Sequence, residues 1–253
     1  MNNLLKRSLL QDATRPWENV IMFLVGWLGF QLLGLCCSAI LSPMVDDGRL
    51  NSNQANMAIN LIVYGIITFF FLIYILGINR NIGHTIRIGF TKNGGCIWNG
   101  FLYFIGCLFI SGVYSMLVNN IPWMAENANQ SGLESLVGDF PIPLFIMTVF
   151  LAPFCEELTY RGGLNTLISR WNKLGGLLIS AAIFGLIHFD FQGSIIDAIA
   201  GDPIPLYREL LNLPTYILSG IGLGLAYQST GNIVAPWACH TFNNFVATIT
   251  MIV

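Results

Sequence analysis

The sequence predicts an all-α fold: a polytopic membrane helix bundle with about seven transmembrane helices and a polar intramembrane cavity. Three observations predict it. The 253 residues include only 11 Lys and Arg and 13 Asp and Glu. That is 9% charged, where a soluble domain carries about 25%. Apolar residues make up 55% of the chain and the mean hydropathy is +0.66. Long apolar runs recur along the whole length, and intramembrane ionisable residues are confined to three of them. A soluble globule of this size needs charge to cover its surface. This chain cannot cover one, so lipid is the solvent for most of it. The apolar content also excludes intrinsic disorder. Eleven basic residues against 13 acidic ones leave no excess for nucleic acid.

A spanning helix needs about 20 apolar residues. Seven runs qualify, over about 20–44, 56–78, 96–118, 140–163, 173–189, 214–228 and 231–252, the fifth and sixth being short. The first is too long for the h-region of a cleaved signal peptide and reads as a retained anchor. Connectors rich in Asn, Asp and Gly separate the runs, and no repeat or second domain interrupts them. Residues 1–253 therefore read as a single membrane domain. The segment 190–213 is less apolar, with Asp197, Asp202, Pro203, Pro205 and Arg208, and reads as an interfacial helix or a lid. Gly220, Gly222 and Gly224 predict close helix packing in the sixth run. All six cysteines lie in or beside apolar runs and read as small buried residues.

Basic residues set the orientation. Lys6, Arg7, Arg15, Arg80, Arg87, Lys92, Arg161, Arg170 and Lys173 fall on one side of a seven-span chain, leaving only Arg49 and Arg208 on the other. The N-terminus is then cytoplasmic and the C-terminus exoplasmic. Glu126, Glu134, Asp139, Asp190, Asp197 and Asp202 collect on the exoplasmic side. His84 lies in a basic connector and reads as a solvated surface residue.

An ionisable residue at the centre of a membrane helix costs about 2.5–3.5 kcal/mol on insertion scales, so those present need a use. The fourth run holds Glu156, Glu157 and Arg161; the fifth holds His188; the seventh holds His240 with Asn243 and Asn244. Glu157 and Arg161 are four apart and pair along one helix face. Glu156 points about 100° away and is left to face something else. Phe184 and His188 share a face, as do His240 and Asn244. Pro153 and Pro236 each precede a polar cluster, and the donor that Pro153 lacks predicts a kink that opens the bundle. At about 1.5 Å rise per residue, the three clusters reach overlapping depths in the inner half of the bilayer. They predict one shared, water-filled cavity opening towards the cytoplasm.

These residues also resemble a known pattern. Glu-Glu-x-x-x-Arg (Glu156, Glu157, Arg161), Phe-x-x-x-His (Phe184, His188) and His-x-x-x-Asn (His240, Asn244), in this order over about 150–250, are similar to the three motifs of the CPBP family. That family holds CAAX prenyl endopeptidases and bacteriocin-processing or immunity proteins, and is also called Abi. The resemblance implies an intramembrane endopeptidase whose motif-bearing core is about 140–253. It implies that Glu156 and His188 activate a water, that His240 and Asn244 stabilise the oxyanion, and that Glu157 and Arg161 orient them. The first 140 residues carry only a hydropathy resemblance.

The residues permit the same chemistry without the analogy. No serine or cysteine is paired with a base by spacing, and Cys155 points to a different helix face from Glu156. An activated water remains. A glutamate in low dielectric can act as general base near neutral pH, and a histidine with an amide can donate two hydrogen bonds to an oxyanion. Glu156, His188 and His240 also make a zinc set worth testing. There is no H-E-x-x-H, however, and the oxyanion role for His240 leaves two ligands, so the preferred reading has no metal and no cofactor. The substrate expected is a membrane-associated peptide or lipidated protein, with the lipid bilayer as environment. The alternative is a non-catalytic immunity or binding protein of the same fold. A transporter would require inverted repeats, which the sequence lacks.

Overall fold

The computed structural model describes residues 5–91, 95–118, 120, 121 and 127–252. Lys92 and Glu126, used above in the charge asymmetry, lie outside the described residues. Every regular element described is helical. In chain order they are α1 (Leu9–Ala13), α2 (Pro16–Asp46), α3 (Ser52–Ile78), α4 (Arg80–Thr91), α5 (Gly95–Val118) and α6 (Ala128–Val137). There follow α7 (Pro141–Ser169), α8 (Lys173–Leu186), α9 (Phe191–Ile199), α10 (Ile204–Thr230) and α11 (Val234–Ile252).

The seven runs expected from hydropathy correspond to α2, α3, α5, α7, α8 with α9, α10 and α11. By length and apolarity five of these can cross a membrane, or six if the bent α8–α9 pair is one span. The count of seven is therefore approximate. The shortfall has a physical reason: α11 is 19 residues long, and His240, Asn243, Asn244 and three threonines dilute its apolar content. The segment 190–213 divides between α9 and the first turns of α10, so it is not a separate lid. His84 is exposed, as expected, but on α4 rather than in a loop. All six cysteines are unpaired; Cys96, Cys155 and Cys239 are buried, while Cys36 is exposed.

Polarity is distributed as lipid solvation demands. Large apolar side chains such as Leu35, Ile40, Phe69, Phe109 and Met116 are two-thirds or more exposed, whereas Asn19, Arg161, Asn165, Thr166 and Ser180 are fully buried. The helices begin where their caps dictate. Asn51 accepts from the Gln54 amide (2.8 Å) while Gln54 Oε1 accepts from the Asn51 amide (2.9 Å), a reciprocal cap that starts α3. Asn172 accepts from the Gly175 amide at the start of α8, and Gly231, at φ 73°, ends α10 in the left-handed conformation.

Two ends of the bundle are distinct. At one, the Lys173 ammonium donates to the Leu5 carbonyl (2.6 Å) and Arg170 Nη2 to the Thr14 carbonyl (2.6 Å). There too the Leu9 amide donates to the Gly231 carbonyl, and Asn232 Nδ2 to the Thr85 carbonyl. This end collects Lys6, Arg7, Arg15, Arg80, Arg87, Arg170 and Lys173. At the other, Asn53 Nδ2 donates to the Ser135 carbonyl (2.9 Å), and the Tyr114 hydroxyl donates to the Leu211 carbonyl (2.6 Å).

Glycine allows the central helix its closest approach. A Cβ on Gly163 would lie 2.7 Å from the Phe23 amide nitrogen and 3.0 Å from its Cα, so α7 packs backbone-to-backbone against α2. A Cβ on Gly220 would lie 2.9 Å from the Ala181 carbonyl oxygen, which is the close α8–α10 packing the glycine spacing predicts.

Candidate active site

The central helix α7 is not uniformly α-helical. Met147–Leu151 and Glu157–Asn165 form wider π-helical turns, and Ala152–Glu156 forms one α-helical stretch between them, with Pro153 in its first turn. π turns inside α-helices are frequent at functional sites. Here they lie on either side of Glu156 and free backbone carbonyls for side chains: Thr166 Oγ1 donates to the Arg161 carbonyl (2.6 Å).

Glu157 and Arg161 pair at 3.0 Å, and both are essentially without exposure, 1% and 0%. The guanidinium also donates from Nη2 to the Gly220 carbonyl (3.0 Å) and lies 4.6 Å from the centre of the Phe184 ring. Glu157 Oε1 then contacts His240 Nδ1 at 2.9 Å. An ion pair buried in the bundle thus holds one face of the His240 imidazole and leaves Nε2 free. That nitrogen lies 3.9 Å from Glu156 Oε2.

Glu156 is 5% exposed. Its Oε1 accepts from the Tyr64 hydroxyl of α3 at 2.9 Å. Its Oε2 is buried and without a hydrogen-bond partner. An unpaired buried carboxylate oxygen is costly, and such an orphan in a native site asks for a function. His188 lies just past the end of α8, in the bend of 59° between α8 and α9. Its Nδ1 is 2.8 Å from the Phe184 carbonyl. A carbonyl can only accept, so Nδ1 carries the hydrogen and Nε2 of the neutral ring carries the lone pair. Tyr216 stacks on the ring at 4.5 Å and 11°. Asn244 Nδ2 donates to the Thr148 carbonyl (2.9 Å), leaving its second hydrogen available.

Glu156, His188, His240 and Asn244 line one cavity of about 340 Å³. Glu157 and Arg161 do not line it; they stand behind His240. Of the six residues singled out from the sequence, the structure thus places four at the cavity and two behind His240. Cys155 turns the other way, with Sγ 3.1 Å from Thr68 Oγ1. Sequence reasoning missed Tyr64 and Tyr216, which hold the two members of the acid–imidazole pair. Tyr64 had a signal: it stands four residues after Asn60, and both line the cavity. Among the described residues no group of three His, Cys, Asp or Glu side chains converges as a metal site.

A bundle of apolar helices thus encloses two glutamates, two histidines and an amide around one cavity. Residues 138–246 match the model of the family described as type II CAAX prenyl endopeptidase Rce1-like. The resemblance to the CPBP, or CAAX protease, family read from the three motifs therefore holds over that region. The chain is 26% identical over 248 residues to an uncharacterised protein of Mycoplasma capricolum, covering 93% of this chain and 68% of that one. It is 25% identical over 154 residues to UPF0177 protein YvdC of Lactococcus lactis, 61% of this chain and 51% of the relative. It is 30% identical over 99 residues to uncharacterised protein YpbD of Bacillus subtilis, 39% and 41%. The chain thus spans about half or less of the length of the last two. No solved structure matches it.

Proposed function

We propose that the protein is an intramembrane endopeptidase that hydrolyses a peptide bond of a membrane-associated peptide or lipidated protein with a glutamate-activated water. The observation that carries this reading is the unpartnered Glu156 Oε2 in a cavity that also holds His188, His240 and Asn244. Oε2 and the His188 Nε2 lone pair are the two basic sites that a water in this cavity would meet. Glu156 takes the water's proton as the hydroxide adds to the peptide carbonyl, and returns it to the leaving amine.

The tetrahedral oxyanion needs donors that are already in place. Asn244 has an unused amide hydrogen. His240 donates from Nε2 as an imidazolium if Nδ1–H is given to Glu157. Two carboxylates, one guanidinium and one imidazolium then sum to zero, so the site carries no uncompensated charge in the membrane. In this role Glu157 and Arg161 are positioning residues: they fix the His240 ring and its protonation without touching substrate.

The test is hydrolysis by purified, reconstituted protein, read by mass spectrometry of the products. Glu156→Gln and His188→Gln should fold and melt like the parent, yet lose activity by about 10³-fold or more, the scale on which triad members act. A folded Glu156→Gln variant that cleaves at the parent rate would refute the assignment. The preferred reading is metal-free: activity should persist after chelation. Stoichiometric zinc, with activity lost on chelation and restored by the metal, would overturn that part.

A further inference from the structure

We infer that the catalytic cavity is entered from the exoplasmic face, and that the segment it cleaves is uncharged within the cavity and flanked by cationic residues outside it. This inference rests on the peptidase reading above and adds sidedness and substrate class to it.

The direction of the cavity follows from where each helix contributes to it. From α3 come Asn60 and Tyr64, and the helix starts at Ser52. From α7 the lining ends at Glu156, with nothing from the 13 residues Glu157 to Ser169. From α10 it runs from Thr215 to Leu223 and stops short of Thr230. From α11 it begins at Cys239 and continues to Met251, one residue from the helix end. In every helix the walls of this cavity extend from the catalytic level towards the end that carries the 46–52 turn, α6 and the C-terminus, while a second cavity of about 290 Å³ shares Glu156 and His188 and reaches Trp27 and Phe30 of α2 and Tyr160 of α7. Asn129 and Gln130 of α6 complete the wall there. Phe184, Leu223 and Cys239 are the floor, towards the basic end.

The two ends differ in charge. The basic end collects the seven Lys and Arg residues named above against Asp12 and Glu18. The cavity end carries Glu134, Asp139, Asp190, Asp197 and Asp202 against two cations, Arg208 and Arg49, the latter paired with Asp47 at 2.6 Å. Lys and Arg remain on the cytoplasmic side of membrane proteins, which places the cavity mouth outside. This reverses the cytoplasmic opening expected from motif depth. Depth along a run locates the catalytic level; it does not say in which direction the walls continue.

The lining defines the occupant. Apart from Glu156 and the two histidines, its polar groups are neutral amides and hydroxyls, among them Asn60, Asn129, Thr215, Ser219 and Asn243. Such groups satisfy the donors and acceptors of an extended peptide backbone. A charged substrate side chain would find no counter-ion outside the catalytic groups Glu156, His188 and His240 themselves, and burying it unpaired is prohibitive. Outside the cavity the acidic rim favours cationic flanks. Glu134 is exposed and accepts from Gln130 of the cavity wall at 3.1 Å, so rim and wall are continuous.

The experiment has two arms. In intact cells, Glu134→Cys, Thr215→Cys and Arg87→Cys variants are exposed to a membrane-impermeant maleimide, with the parent chain as labelling baseline. Glu134→Cys and Thr215→Cys should label from outside, and Arg87→Cys only after permeabilisation. Labelling of Arg87→Cys from outside, with the other two protected until permeabilisation, would overturn the sidedness whatever the activity. In proteoliposomes, two quenched fluorogenic peptides share an uncharged core of Gly, Ala, Leu and Asn and carry Lys or Glu flanks. The Lys-flanked peptide should have about tenfold higher kcat/KM at low ionic strength, and the advantage should shrink at 0.5 M salt, where the Debye length is only a few ångströms. Equal rates, or preference for the Glu-flanked peptide, would overturn the substrate class. No cleavage of either peptide, alongside outside labelling, would refute the peptidase reading and the substrate class and leave the sidedness supported.

Discussion

Replacing Arg161 with methionine removes the guanidinium buried behind His240 while keeping much of the side-chain volume. Three contacts disappear: the 3.0 Å ion pair to Glu157, the 3.0 Å hydrogen bond to the Gly220 carbonyl, and the stacking over Phe184 at 4.6 Å. At 3.0 Å and an effective dielectric constant of about 20, the Coulomb attraction alone is about 5–6 kcal/mol. Desolvation of the pair offsets much of this. The relevant quantity is the carboxylate left behind: breaking a buried pair by removing one partner costs about 3–5 kcal/mol. Arg161→Met should therefore lower stability by that amount, measured as reversible unfolding in mixed micelles. Adding Glu157→Gln should recover most of the loss, because neutral replacements of both partners are often near-neutral. Activity should not return in the double variant, because His240 has lost its carboxylate partner. An Arg161→Met variant within about 1 kcal/mol of the parent, or a double variant whose losses simply add, would refute the description of this pair as a mutually compensating buried charge couple. A double variant with parental activity would refute its role in positioning His240.

Other changes probe separate parts of the account. Tyr64→Phe removes the donor to Glu156 Oε1. A hydrogen bond to a charged group is worth about 1.5–3 kcal/mol, so kcat should fall about 10–100-fold, with the melting temperature nearly unchanged. Gly163→Leu inserts a side chain where Phe23 backbone lies within 3.0 Å; overpacking of this kind costs about 1–3 kcal/mol and should show as a lower melting temperature. His188→Gln keeps a polar group but abolishes the Nε2 base. Its kcat should collapse while the melting temperature stays at the parent value, which rate measurements and thermal unfolding of the same reconstituted sample would show.

The poverty of charge made much of the site legible. With so few charged residues, those inside apolar runs could be recognised by position alone, and Glu156, Glu157, Arg161, His188 and His240 stood out. The pairing of Glu157 with Arg161 followed from their four-residue spacing and occurs at 3.0 Å, even though the turn is π-helical. What lay beyond the sequence has physical causes. Tyr64 and Tyr216 count as apolar in any hydropathy reading, so their hydroxyl and ring roles were invisible. The π turns of α7 change hydrogen-bond register without changing residue type. His188 was expected within a span because the apolar run continues to Phe189, whereas α8 ends at Leu186. The α6 wall, too short and polar to be a span, gave no sign that it closes the cavity.

The central claim is that Glu156 activates the hydrolytic water. Its most direct test is comparative peptidomics of membranes containing the parent protein or the Glu156→Gln variant at equal abundance. The account predicts at least one peptide product that is present with the parent and absent with Glu156→Gln, while its uncut precursor accumulates. Identical product profiles from two equally folded proteins would contradict it.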